Sequence, residues 1–142
     1  MVKHLGSHAG IHHVELWVPD LTRACESFGW LLRRLGYQVF QEWEAGRSWR
    51  RDGHYIVAEQ SPGLTGADHD RLRPGLNHLA FHAGQPVDLD RLVTEAQLHG
   101  WRLLFEDRHP HAGGPNHYAA YLENDDGFEV ELVARTVSQS GG

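Results

Sequence analysis

Histidine and glutamate are the residues of this chain best placed to do chemistry. Twelve histidines occur among 142 residues, and imidazole is both the most frequent metal ligand and the usual general base near neutral pH. His13 lies in IHHVELWV and His78 in GLNHLAFHA, 65 residues apart, each inside an apolar segment. Near the end of the chain, GFEVELV carries Glu129 and Glu131 on one face of an otherwise apolar strand. Two carboxylates there are costly to bury unless they are paired or bound to a cation. Two imidazoles and a carboxylate around one cavity suit Fe(II), Mn(II), Ni(II) or Zn(II). A further group lies upstream, where RHPHAGGPNHY (residues 108–118) sets His109, His111 and His117 among glycines. Such a loop can close over a cavity, or can be a surface turn that happens to be rich in histidine. Alternation puts Tyr121, four residues past His117, on the same strand face, and puts His82 on the face of His78.

The elements that position these residues follow from pattern. IHHVELWV (residues 11–18) is rich in β-branched and aromatic residues and reads as a strand with His13, Glu15 and Trp17 on one face. Asp20 is a helix cap, and Leu21, Ala24, Cys25, Phe28, Leu31, Leu32 and Leu35 recur at helical spacing up to Gly36. Cys25 falls on that stripe and reads as core filler. YQVFQEW (37–43), the arginine-rich segment around Trp49, and HYIVAEQ (54–60) follow as strands, with a hairpin signal at Asp52-Gly53. A polar stretch with prolines and glycines then separates this half from a second one. There the order recurs: a strand over 75–83, a helix capped by Asp88 and stopped by Gly100, then WRLLFED, HYAAYLE and GFEVELV, the last entered through Asp126-Gly127. Gly36 and Gly100 are 64 residues apart, and RLGYQVF matches LHGWRLLF. The chain therefore reads as α+β, with two tandem β-α-β-β-β modules that must pack together to bury their open sheets. The expected divisions are a flexible 1–10, a single domain over 11–134 made of module one (11–60), a linker (61–75) and module two (76–134), and a flexible 135–142.

Composition narrows the function. A net charge of −6 argues against nucleic-acid binding, which needs a basic face. Hydrophobic residues make up 40%, enough for an ordinary core, with no apolar run approaching membrane-spanning length. The polar start lacks a secretory signal, and the single cysteine excludes an internal disulfide. A cytoplasmic protein is the expectation.

HHVELWVPD, GLNHLAFHA and DGFEVEL together resemble the vicinal oxygen chelate superfamily, which groups glyoxalase I, extradiol dioxygenases, methylmalonyl-CoA epimerase, fosfomycin-modifying enzymes and bleomycin-binding proteins. The resemblance runs from about Ile11 to Val133. It implies a cupped mixed sheet around one divalent metal ion held by His13, His78 and Glu131. Glu59 in YIVAEQ is a further candidate ligand, with a register in which Val57 competes for the place. The segment HYAAYLENDDGFEVE resembles extradiol dioxygenases, which implies an acid–base role for His117 and an oxygen-binding hydroxyl on Tyr121. Asp125 and Ala120 depart from that pattern. The resemblance implies a metal-dependent lyase, isomerase or ring-cleaving dioxygenase acting on a small substrate with adjacent oxygens. The alternative is a metal-free, drug-binding protein of the bleomycin-resistance kind. A homodimer is expected, with no nucleic-acid or membrane partner.

Overall fold

The computed structural model describes residues 2–136. Met1 and the chain beyond Thr136, where most of the expected C-terminal tail falls, lie outside the described residues. Strand β1 (His13–Trp17) leads to Asp20, whose carboxylate accepts from the Arg23 N–H at 2.9 Å and caps helix α1 (Leu21–Ala24). The periodicity suggests one continuous helix, but the chain widens into a π turn over Cys25–Gly29 before resuming as α2 (Trp30–Arg34). Two bonds at Ser27 accompany the widening. Its hydroxyl donates back to the Arg23 carbonyl at 3.1 Å, and its own carbonyl accepts from the Trp101 indole at 3.0 Å. Cys25 sits half-buried beside the core, and burial pushes its thiol pKa up, as filler rather than nucleophile. After Gly36, at φ 94°, come β2 (Gln38–Trp43), β3 (Gly46–Arg51) and β4 (His54–Glu59).

The second unit repeats the order as β5 (His78–His82), α3 (Pro86–Ala96), β6 (Trp101–Leu104), β7 (Ala119–Asn124) and β8 (Glu129–Val133). Asp88 does not cap α3 as the sequence suggested. Gln85 is the cap, because Pro86 fits the first helical position with its φ already set. Asp88 instead stands in the first turn and accepts from the Gln85 N–H at 2.9 Å. Strand β6 is shorter than WRLLFED predicts, since Phe105 turns the chain at φ 55°. β7 starts at Ala119, so His117 lies before the strand and not on it.

Each unit makes one four-stranded sheet, ordered β1-β4-β3-β2 and β5-β8-β7-β6. The first and last strands of each unit pair in parallel, and the other neighbours are antiparallel. This is the expected pair of β-α-β-β-β modules. Alternation sends Leu16, Ile56, Trp49, Leu122, Val130 and Leu132 into one shared core. The core joins the units through the first unit's helical segment, where Phe28 meets Trp101 and Phe128 edge to face at 5.1 and 5.9 Å. Ion pairs Arg23–Asp126 and Arg34–Glu95 flank that contact. The opposite face of each sheet is left open. No helix among the described residues is long and apolar enough to cross a membrane.

Phe28 is 1% exposed and stands at the junction. Phe28→Ala is expected to cost about 3–5 kcal/mol in urea unfolding, with both units lost in one transition. A cost below about 1 kcal/mol, or two separate transitions, would mean that the units do not share a core.

Candidate functional site

The open face of the second sheet gathers the acidic and imidazole side chains. Parallel pairing sets His78 opposite Glu129 and Ala80 opposite Glu131. Glu131 reaches across, so that one carboxylate oxygen lies 3.1 Å from His78 Nε2 and the other 2.5 Å from His117 Nε2. His117 arrives from the loop before β7, where its N–H bonds to the Gly114 carbonyl at 3.2 Å. Gly113 lies against His117 and Tyr121. A Cβ there would come within 2.6 Å of the Tyr121 hydroxyl and 2.7 Å of His117 Cδ2. The loop thus packs directly on the site. Elsewhere in it, His111 Nδ1 lies 3.3 Å from the His117 carbonyl. Tyr121 stands opposite Glu131 in the ladder, edge-on to the His78 ring at 6.0 Å. Burial, and then the negative charge of Glu131 to which its hydroxyl donates, push its pKa above the ordinary 10.0. It is therefore a neutral donor over the physiological range.

Around the Nδ1 side of His78 stand Asn77 Oδ1 at 2.6 Å and Glu129 Oε2 at 3.4 Å. Glu129 is buried, and burial pushes its pKa up while Arg71 and then His78 pull it down. Arg71, from the linker, lies 3.2 Å from Glu129 Oε1 through Nε and 2.7 Å from Glu123 Oε2 through Nη2. Arg102 also bonds Glu123. The acidic face is thereby partly neutralised from its rim.

These contacts test whether the residues suit a metal ion. A neutral imidazole has one N–H, and three acceptor oxygens surround the His78 ring. With Nδ1–H facing Asn77 and Glu129, the Nε2 lone pair points at the Glu131 carboxylate. Two lone pairs in that position need a proton or a cation between them. An imidazole nitrogen and a carboxylate oxygen set this way are fit ligands for a divalent ion. Two protein ligands are nevertheless few for a stable site. Among the described residues of the single chain, no three His, Cys, Asp or Glu side chains are placed to hold a metal.

His13 and Glu59 lie on the other sheet. Among the described residues no hydrogen bond, ion pair or ring contact joins either of them to His78 or Glu131. His13 is exposed on the open face, stacked on Tyr55 at 4.8 Å, with its Nδ1 2.9 Å from His12 Nδ1. Its ladder partner is Tyr55, so the position matching Glu131 is Val57, two residues beyond. Glu59 lies two residues further, opposite Trp17, and accepts from the Trp43 indole at 3.3 Å. His82 lies at the end of β5 and lines a groove with Tyr37, His54 and Arg51. Sequence reasoning missed Asn77, Arg71 and Gly113. Only the adjacency of Asn77 to His78 offered a signal. Nothing in the composition of the linker singled out Arg71.

A family model described as the glyoxalase/bleomycin resistance protein/dioxygenase superfamily matches residues 12–121. The uncharacterized protein YqjT of Bacillus subtilis (strain 168) is 45% identical over 126 residues, which cover 87% of this chain and 98% of that one. The crystal structure of a Bacillus halodurans protein, provisionally called a glyoxalase, superposes with a TM-score of 0.84 at 40% identity, covering 92% of this chain and 97% of that one. The fosfomycin resistance protein FosX of Listeria monocytogenes, solved with Mn(II) and sulfate, shares the fold at a TM-score of 0.62 and 17% identity, covering 94% of this chain and 98% of that one.

The Tyr121–Glu131 contact has a measurable sign. A carboxylate beside the phenol disfavours the phenolate, so Glu131→Gln is expected to lower the Tyr121 pKa. Burial remains, so the value stays above 10.0. Ultraviolet tyrosinate absorbance, with Tyr121→Phe as the blank, reads it. An unchanged or raised pKa would mean that Glu131 does not face this hydroxyl.

Proposed function

The chain belongs to the glyoxalase/bleomycin resistance protein/dioxygenase superfamily, and from that premise we propose that it is a divalent-metal-dependent enzyme acting on a small substrate with adjacent oxygens. The reaction is a lyase, isomerase or ring-cleaving dioxygenase step. One observation carries this reading, namely that His78 Nε2 and a Glu131 carboxylate oxygen stand 3.1 Å apart on an open sheet face. We assign the ligands as His13, His78 and Glu131, for Fe2+, Ni2+, Zn2+ or Mn2+. Two imidazoles with one carboxylate leave positions open for substrate. Val57 stands where a fourth protein ligand would match Glu131, which supports three ligands and leaves Glu59 as a neighbour on the wall. The Mn(II) in FosX supports the donor type at the level of the fold.

A bound metal would supply Lewis-acid polarisation of the two substrate oxygens. The chain supplies the rest. His117, held on the outer oxygen of Glu131, is placed to move a proton. Tyr121 donates a hydrogen bond to an anionic oxygen. The packed loop at Gly113 keeps water from that side.

The third ligand comes, in this reading, from a second copy of the chain. Within one protomer the units meet through their helical side, and each keeps its open face outward. Trp17, Phe40 and Trp43 are 46, 41 and 40% exposed around the open side of the first sheet, a patch that favours burial against a partner. Module one of one protomer then faces module two of the other, and the partner subunit's His13 completes the site.

Complementation tests the metal site and the assembly together. His13→Ala and His78→Ala homodimers should each lose bound metal. A mixed dimer of the two should regain one intact site, because one protomer keeps His78 and Glu131 while the other keeps His13. No metal in the mixed dimer, with the parent fully loaded, would place each site within one chain. Full occupancy in both single variants would sink the ligand assignment.

Turnover tests the acid–base roles. His117→Ala should keep metal and lose about 100- to 10,000-fold in kcat, while Tyr121→Phe should cost about 1.5–3 kcal/mol in the transition state. Parent-like turnover in both variants would remove these roles. Ligand binding with no turnover under any metal would favour the drug-binding reading.

A further inference from the structure

The linker between the units is more than a connector. It is pinned against the second sheet at several points. His69 stacks on Phe128 at 4.1 Å with the rings 4° apart. Within the linker, the Asp70 carboxylate accepts from the Leu72 N–H at 2.9 Å. The Arg71 guanidinium lies between Glu123 and Glu129 on the open face, its side chain 18% exposed. Finally, the Asn77 amide nitrogen donates to the Arg71 carbonyl at 3.0 Å, which turns Asn77 Oδ1 toward His78 Nδ1 at 2.6 Å.

From this arrangement we infer that Asn77, together with Arg71 and Glu129, forms a positioning device that fixes the tautomer and ring orientation of His78. The inference rests on the metal site proposed above and deepens it. The two acceptors on the Nδ1 side, Asn77 Oδ1 and Glu129 Oε2, place the ring proton on Nδ1. Nε2 is left bare and directed at Glu131 Oε1. Arg71 does two things at once. Its carbonyl holds the Asn77 amide in the orientation that accepts, and its guanidinium holds Glu129 beside the ring. Without the linker contact the amide is free to rotate and present its nitrogen, which removes the acceptor. Outer partners of this kind set ligand orientation, and their loss costs about 10–100-fold in metal affinity. Asn77 does not touch substrate or metal in this arrangement and acts only through His78.

The test uses the full chain and Zn2+ as the probe. Asn77 is exposed, so Asn77→Ala should fold and melt like the parent. The expected result is Zn2+ affinity weakened by about 10–100-fold, with Asn77→Asp, which keeps the acceptor, binding at least as tightly as the parent. Histidine 15N spectra should show the His78 proton on Nδ1 in the parent and in Asn77→Asp. In Asn77→Ala it should be spread over both nitrogens. Parental Zn2+ affinity in Asn77→Ala, or a parent ring protonated on Nε2 alone, overturns the inference. A parent that binds no metal at His78 overturns the site reading instead, and the tautomer of the metal-free chain still decides the positioning role.

Discussion

The parallel ladder that sets His78 beside Glu129 and Ala80 beside Glu131 brings together side chains 53 positions apart in sequence. A parallel pair cannot be joined by a tight turn and needs a crossover. The chain between β5 and β8 runs through α3, β6 and β7, and α3 packs on one face of the sheet. Leu79, Phe81, Val130 and Leu132 go to the shared core, while His78, Glu129 and Glu131 lie on the opposite side of the sheet. A slip of one residue in β8 would exchange the two sets and turn both carboxylates into the apolar core beside Leu122. The cost of burying unpaired charge fixes the register as firmly as the apolar packing does. Packing and chemistry therefore constrain the same strand in the same sense.

Once the carboxylates are gathered, their charge must be managed. Glu123, Glu129 and Glu131 line one face within reach of one another. Arg71 and Arg102 neutralise the outer part of that row, and the imidazoles of His78 and His117 meet the inner part. The division is physical as well as spatial. Arginine cannot give up its charge, so it suits permanent neutralisation at the rim. Imidazole can exchange a proton or a metal ion, so it suits the inner part of the row, where the proposed chemistry would take place. Burial raises the Glu129 pKa, against the pull of Arg71 and then His78.

Much of this was legible in sequence, for reasons that differ by residue. The repeat was visible because both copies keep the same strand–helix–glycine order, and β-strand alternation alone put His13, His78 and Glu131 on open faces. The register at Glu59 was not legible. The Asp52-Gly53 hairpin gives the turn between β3 and β4 but says nothing of how β4 lies against β1, which is set over a distance of some 40 residues by the shared core. The π turn at Cys25–Gly29 was hidden because its partner, Trp101, is 74 residues from Ser27. His117 reached the site by a route alternation did not describe, through loop bonds at Gly114 rather than from β7. Asn77 and Arg71 were hidden most deeply, since polar residues in a proline- and glycine-containing stretch carry no periodicity from which a contact can be read.

The two copies have diverged in a way that bears on assembly. Positions related by the repeat carry Val57 against Glu131, Ser48 against Tyr121, and Arg50 against Glu123. The second face is thus acidic where the first is apolar or basic. A face with a surplus of carboxylates and a face with Arg50 and exposed indoles do not satisfy themselves. Two like faces brought together would set Glu123 against Glu123, or stack aromatic surface without neutralising any charge. Unlike faces brought together bury the indoles, offer Arg50 to the acidic row, and carry His13 toward His78 and Glu131. In a single chain the shared core around Phe28 holds the helical sides together, and under the assembly proposed above that match falls to a second copy related by a two-fold axis. A two-fold arrangement forms the contact twice, so in the proposed pair the same charge asymmetry that leaves one open face unmatched would be met on both sides.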